Sequence, residues 1–521
     1  KTRIDIVLNE DAQAIDEVVV TGYGSLRKAS FTGAAAIVGE DVLSKKTDAN
    51  FVKSLEGAVP GIQMNNSTGA PGTWGSVYVR GRGSLNSGTQ PLYVIDGMVV
   101  NSDIEDNYNS TSNNWIDPMA SVNASDIESV TVLKDAAATA IYGSRAANGV
   151  IVITTKKGQQ GNFNLNVDIK QGFVSMANNN MEFANAEESM NLFAHGRAAR
   201  EGGAPADWVA PLTNYYGWDG QSSYDWVDKV TRKGYYQDYN LSASGRTGST
   251  GFYASMGYLN SEGLVIASDM ERISGRLNLD SKFKYFTFGV NTSYAYSTQN
   301  SFGQGTNGTM SNPIVAAISS MRPFFPFYNE DGSYANVNQY NPLALKDSKL
   351  GDIYRSQVQT VNANPYLQVD FGKGIYAKTS LGANITDTRI YDYWSAVYNP
   401  QAAKYNGLGQ QFNSKSSVIT WTNLLGWNYT FDYTHDVGIL LVQEMQRKFY
   451  HNEYYSRSDF PYADNGMRDL STAGTDQGSQ YYKQEATLAS YFMDAHYSYD
   501  DKYYVSGSFR RDGSSVFGAE R

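Results

Sequence analysis

Four histidines, His195, His435, His451 and His496, are the whole imidazole supply of this 521-residue chain, and it holds no cysteine. None of the four opens a His-Glu-x-x-His pair and no Gly-x-Ser-x-Gly elbow occurs, so metal-assisted and triad hydrolysis lack their parts. Without thiols there is no disulfide, no thiolate metal site and no Cys nucleophile. Gly303-Gln-Gly-Thr-Asn-Gly308 has the spacing of a dinucleotide loop. The strand before it alternates in period two instead of forming a buried parallel run, which assigns the match to an ordinary loop. Aspartates and glutamates are plentiful, but spacing in sequence cannot set two carboxylates across one glycosidic bond. The chain reads as a non-enzyme, with no catalytic residue, no metal and no cofactor.

Three groups of residues are suited to contact with a partner. Asp16, Glu17, Val18, Val19, Val20 and Thr21 lead into Gly22, Tyr23 and Gly24. A valine-rich stretch between polar residues and glycines has high β-propensity and can add as a strand to a partner's sheet edge, or serve as the first strand of its own domain. Arg80, Arg82 and Arg145, with Asp96, Asp126, Glu128 and Asp135, can pair with a surrounding polar wall or stabilise their own fold. The loop from Asn101 to Trp115 offers Asn107, Tyr108, Asn109 and Trp115, amides for hydroxyl or peptide groups and rings for a platform. A merely solvated loop would have the same composition.

The elements that must position these residues follow from periodicity. A formal charge of −10 leaves no basic stripe, which excludes nucleic acid as partner. No run of 18 apolar residues occurs, so no membrane helix can be placed. Before Gly158 to Gly161, short apolar runs at 76–81, 91–97, 129–134 and 149–156, with an alanine-rich helix over 135–143, predict an α+β domain. After it, strict alternation takes over: Phe163, Leu165, Val167 and Ile169 oppose Asn164, Asn166, Asp168 and Lys170. The same pattern recurs at 235–245, 272–280, 286–297, 361–371, 377–385, 419–431, 489–499 and 503–509, giving about eleven strands with the weaker ones included, many near the ~9 to 11 residues that cross a bilayer. The 39 tyrosines suit membrane-interface girdles. Some joints are tight, as at 246–251, whereas 301–356 and 391–414 read as long loops. The expected fold is mostly β, an antiparallel transmembrane β-barrel with an α+β plug domain in its lumen. A soluble sandwich also alternates, but does not need polar faces this consistent on strands this long. A barrel of about eleven strands is too narrow to hold a domain of over a hundred residues, which predicts roughly half a barrel here and more strands beyond Arg521.

Four ordered motifs resemble a family. Asp16-Glu-Val-Val-Val-Thr-Gly-Tyr-Gly24, Val79-Arg-Gly-Arg-Gly83, Pro91-Leu-Tyr-Val-Ile-Asp-Gly97 and the stretch from Asp126 to Gly149, with its Ala-Ile-Tyr-Gly-Ser-Arg-Ala-Ala-Asn-Gly end, are similar to the plug of SusC-like TonB-dependent transporters of the Bacteroidetes type. Asn312-Pro, Arg322-Pro-Phe-Phe-Pro-Phe-Tyr328, Asn341-Pro-Leu-Ala344 and Phe509-Arg-Arg-Asp-Gly-Ser-Ser515 extend the similarity along nearly the whole chain. The resemblance implies that residues 1–9 end a preceding small β domain, 10–24 carry the TonB box, 25–160 form the plug, and 161–521 form the first part of a ~22-stranded barrel. It also implies residence in the outer membrane of a Gram-negative bacterium, as a multi-pass barrel in the lipid bilayer. The implied partners are TonB with its ExbB/ExbD energising complex and a SusD-like surface lipoprotein, in a possible dimer of such pairs. An oligosaccharide is the expected cargo and an oligopeptide the runner-up; a passive porin or an adhesion protein would have no use for a plug.

Overall fold

The structure, a computed structural model, describes residues 18–517 except 22, 28–30, 32, 46, 67, 84–87, 102–115, 160, 178–181, 303–311, 337–339, 348, 433, 462–465 and 467. Its first strands are short: β1 (Val18–Val20), β2 (Ser25–Arg27), β3 (Ala35–Gly39), β4 (Ile62–Asn66), β5 (Gly75–Val79), β6 (Leu92–Ile95), β7 (Met98–Val100), β8 (Ile127–Leu133) and β9 (Val150–Thr155). Five of them form a sheet ordered β3-β8-β9-β6-β7, in which only β6 and β9 run parallel. That central place explains the unbroken Val150-Ile-Val-Ile153, since a strand covered on both faces has no side for polar residues, and all four are buried. β1 pairs with β2 and β4 with β5 as hairpins.

Two one-turn helices accompany this domain, α1 (Glu40–Leu43) and α2 (Ala136–Thr139). The helix expected over 135–143 is therefore shorter than its alanines suggest. Asp135 caps it, its two carboxylate oxygens accepting from the N–H groups of Ala138 and Ala34 at 2.8 Å each. The chain then tightens into a 3-10 turn that Gly143 interrupts at φ 69°. A Cβ at Gly143 would lie 2.3 Å from the Asp512 carboxylate and 2.8 Å from Arg510, so close approach of the second domain decides the break.

That second domain is one antiparallel sheet of eleven strands in chain order: β10 (Gly161–Val174), β11 (Gly234–Thr247), β12 (Thr250–Glu262), β13 (Asp269–Phe283), β14 (Phe286–Asn300), β15 (Ile353–Gly372), β16 (Ile375–Trp394), β17 (Leu408–Phe431), β18 (His435–Ser458), β19 (Thr475–Tyr499) and β20 (Tyr503–Ser514). Several run far beyond the alternating stretch visible in sequence. β17 starts at Leu408, inside the expected loop over 391–414. In its first part polar residues occupy both faces, Gln410 and Ser414 beside the buried Leu408 and Phe412, and Gln411, Asn413 and Lys415 opposite, so no alternation shows in sequence.

One rim carries only short turns, 248–249, 284–285, 373–374, 432–434 and 500–502. Asp500 and Asp501 take φ of 51° and 48°, the left-handed pair that matches the twist of a tight hairpin. The opposite rim carries 175–233, 263–268, 301–352, 395–407 and 459–474. On it stand α3 (Ala186–Glu201), α4 (Pro205–Tyr216), α5 (Trp226–Val230), α6 (Pro313–Ser319) and α7 (Pro400–Ala403). Among the described residues no helix is long and apolar enough to cross a membrane.

The sheet is inverted relative to a soluble one. On β13, Leu277 is 43% exposed while its neighbours Arg276 and Asn278 are buried against the first domain. A sandwich would bury the leucines and hydrate the polar row, so the outward apolar face requires lipid. Leu277→Lys is accordingly expected to cost about 2–4 kcal/mol if that residue lies near the bilayer midplane. Unfolding titrations of the full-length protein in lipid vesicles measure this, and a cost near zero would place the face in water.

Candidate functional site at the plug and its wall

The inner face of the sheet holds the first domain by polar contacts. Arg272 of β13 donates from Nη1 to the carbonyl of Ala120 at 2.7 Å. Asn278 donates to Thr155 Oγ1 at 2.8 Å and to the Lys156 carbonyl at 2.7 Å. Between them Arg276 lies 3.6 Å from the Asp96 carboxylate and 3.5 Å from that of Asp126, ion contacts too long for good hydrogen bonds. Asp126 also accepts from Tyr253 at 2.9 Å and Ser255 at 2.6 Å, both on β12. Further along the wall, Asn240 accepts from Asn123 at 2.9 Å, and Asn364 donates to the Asp96 carbonyl at 3.0 Å. Asn101 donates to Ser416 at 2.9 Å. Period-two strands aim a polar row inward, and irregular plug segments offer it unpaired backbone carbonyls, so one side's leftover groups satisfy the other's.

A second cluster centres on Glu444 of β18, which is 2% exposed. Its carboxylate accepts from Arg145 Nη2 at 2.7 Å and from the Tyr23 hydroxyl at 2.6 Å, with Arg510 of β20 at 3.6 Å. Arg145 also donates to Gln446 at 3.0 Å. Burial, then the Glu444 charge, push the Tyr23 hydroxyl well above its usual range, which keeps it a donor. Val19 is fully buried with Tyr142, Leu424, Val442 and Phe492, and Tyr142 donates to the Thr21 carbonyl. The N-terminal hairpin is thus docked on plug and wall together.

The segment joining the domains is held as closely. Arg246 pairs with Asp280 at 2.7 Å and donates from Nε to the Gly158 carbonyl at 3.0 Å. A Cβ at Gly158 would lie 2.4 Å from the Gly245 carbonyl oxygen, so only glycine lets the linker pass the wall.

Of the residues singled out in sequence, Val18 to Val20 form β1 and Thr21 follows it buried. β1 pairs with β2, so the hairpin spans the domain boundary expected at residues 24 and 25. Asp96 and Arg145 face wall residues. Arg80 and Arg82 are both exposed and meet none of the described wall residues. Arg80 follows β5 at φ 60° and its N–H bonds the Gly61 carbonyl at 2.8 Å, next to the β4–β5 pairing. Asp135 likewise serves as a helix cap. Residues 1–9, Asp16, Glu17, Asn107, Tyr108, Asn109, Trp115 and the 303–308 loop lie outside the described residues. Sequence reasoning missed Arg272, Arg276, Glu444 and Arg510 as contact residues. Their one mark in sequence was a charge on the polar face of a strand, which a residue that meets lumen water carries equally.

Residues 27–150 match the family model described as TonB-dependent Receptor Plug Domain. TonB-dependent receptor P39 of Formosa agariphila is 30% identical over 99% of this chain and 47% of its own length. TonB-dependent receptor SusC of Bacteroides thetaiotaomicron is 25% identical over 99% of this chain and 50% of its own. Among solved structures, the RagAB peptide importer in its open-open state superposes with a TM-score of 0.80 at 25% identity, covering 97% of this chain and 57% of that one. The chain spans about half the length of the curated relatives it matches. An inverted sheet, a polar-seated plug and these likenesses together support a SusC-like TonB-dependent receptor of the outer membrane.

Proposed function

We propose that the whole protein imports an oligomeric nutrient across the outer membrane, with the plug rearranged by a pull on its N-terminal segment. The observation that supports this reading most is the docked hairpin of β1 and β2, whose strand must leave Arg27, Leu26 and Ser25 before it can add to another sheet. Residues 16–21 would be the segment TonB grips, powered by ExbB/ExbD. The plug would yield because its wall contacts are many and separate, so they can be exchanged one at a time. A SusD-like lipoprotein would close the long-loop rim, and two such pairs would associate. For the cargo we favour an oligopeptide over the oligosaccharide expected from sequence: a relative at 25% identity is described as a peptide importer, and the rim carries an apolar groove lined by three arginines.

Deleting residues 16–21 in cells tests the reading. Uptake should fall to background while ligand still binds at the surface, and uptake that survives the deletion would make the protein a passive pore.

A further inference from the structure

On the long-loop rim, α3, α5 and α6 border an open groove of about 1070 Å³. Leu192, Phe193, Arg197 and Arg200, at helical spacing on α3, form one wall, and Ile318 and Met321 face them. The helices already have buried cores of their own, built on Met190 and Phe324 and on Trp226 and Met321. Even so, Leu192 is 71% and Ile318 46% exposed, apolar surface left over after the cap has folded.

Three arginines and three carboxylates also meet at the groove, and one guanidinium among them has no ion-pair partner among the described residues. Arg322 lies with its guanidinium 5.0 Å over the Phe193 ring and has no carboxylate partner among the described residues. Arg197 and Arg200 share the single carboxylate of Glu201, at 3.1 and 2.9 Å. Two acids line the groove as well, Glu182 and Asp225, and Asp225 caps α5 by accepting from the Asp228 N–H at 2.9 Å while keeping its charge.

We propose that this groove binds a segment of the imported peptide that has bulky apolar side chains and a free carboxylate, an inference that rests on the import reading above. The apolar walls would take the side chains, and the Arg322 fork would meet the carboxylate in charge-assisted bonds. The indole of Trp226 is buried and its Nε1 is spent on the carbonyls of Arg322 and Phe325, each at 3.2 Å, so that tryptophan offers no open platform for a sugar ring. At about 1070 Å³ the groove lies just above the ~300–1,000 Å³ typical of small-ligand sites.

The test uses the purified full-length transporter and a fluorescein-labelled hexapeptide, Leu-Phe-Leu-Gly-Asp-Glu, with its Asn/Gln C-terminal amide and maltohexaose as comparisons. The acidic peptide should bind, and Arg322→Gln and Leu192→Asp should each weaken it by about tenfold or more. Arg322→Lys should fall between, and the neutral peptide should be insensitive to Arg322→Gln. Absence of peptide binding, binding indifferent to both substitutions, or competition by maltohexaose would overturn the proposal. So would substitutions that strip off a co-purifying lipoprotein while peptide binding holds, since the groove would then be a docking surface. Because deletion of residues 16–21 leaves the groove intact, loss of uptake there without loss of binding bears on the import reading alone.

Discussion

Replacing Glu444 with alanine is expected to undock the N-terminal hairpin and expose β1 without unfolding the barrel. Glu444 is nearly fully buried and holds Arg145 at 2.7 Å, Tyr23 at 2.6 Å and Arg510 at 3.6 Å. Removing the carboxylate leaves Arg145 without its ion-pair partner, whereas Arg510 keeps Asp512 and Ser490 at 2.8 Å each and the Ile141 carbonyl. Breaking a buried pair from one side costs about 3–5 kcal/mol, because the surviving charge stays desolvated. The loss should appear as faster amide hydrogen exchange over residues 18–27 and 140–146, with β13 and β14 unchanged. Glu444→Gln keeps an acceptor for Tyr23 but no charge, so it should lie between alanine and the native protein. Tyr23→Phe removes one bond and should loosen only the hairpin. Exchange in these segments that is equal in all four proteins would make the cluster idle.

The second large effect is expected at Arg276. Its side chain is 4% exposed between two buried carboxylates, Asp96 and Asp126. Arg276→Met keeps much of the bulk and deletes the charge, leaving two acids facing each other with only neutral donors. The plug should lose about 3–5 kcal/mol of docking stability, seen as faster exchange along β8 and β9. Adding Asp126→Asn should recover part of the loss, since one of the two unbalanced charges is then gone. Unchanged protection of β8 and β9 in Arg276→Met would mean that the neutral bonds from Tyr253, Ser255 and Asn278 suffice to seat the plug.

Both effects arise at residues whose roles sequence spacing did not reveal. Arg276 was visible as a member of the polar row on β13, and Glu444 fell in a strand whose alternation was weak enough to pass unnoticed. Nothing local distinguishes a lumen-facing charge that meets water from one that meets a plug carbonyl or carboxylate. Arg80 and Arg82, expected at the wall as charges on a domain inside a polar lumen, are exposed among the described residues, with the Arg80 backbone engaged beside the β4–β5 pairing.

What the sequence by itself determined is whatever depends on neighbours along the chain. Alternation at 163–169, 272–280 and 286–297 was enough to set strands and the division of their faces, because the side-chain period of a strand is a local property. Short apolar runs marked β5, β6, β8 and β9 of the plug within a residue or two for the same reason. The tertiary structure alone decided which polar groups satisfy one another across the plug–wall boundary. Tyr23 and Glu444 are 421 residues apart, and Asn278 lies 123 from Thr155. It also decided that β1 is docked and that the rim helices leave a groove, because both depend on which surfaces meet after each domain has formed.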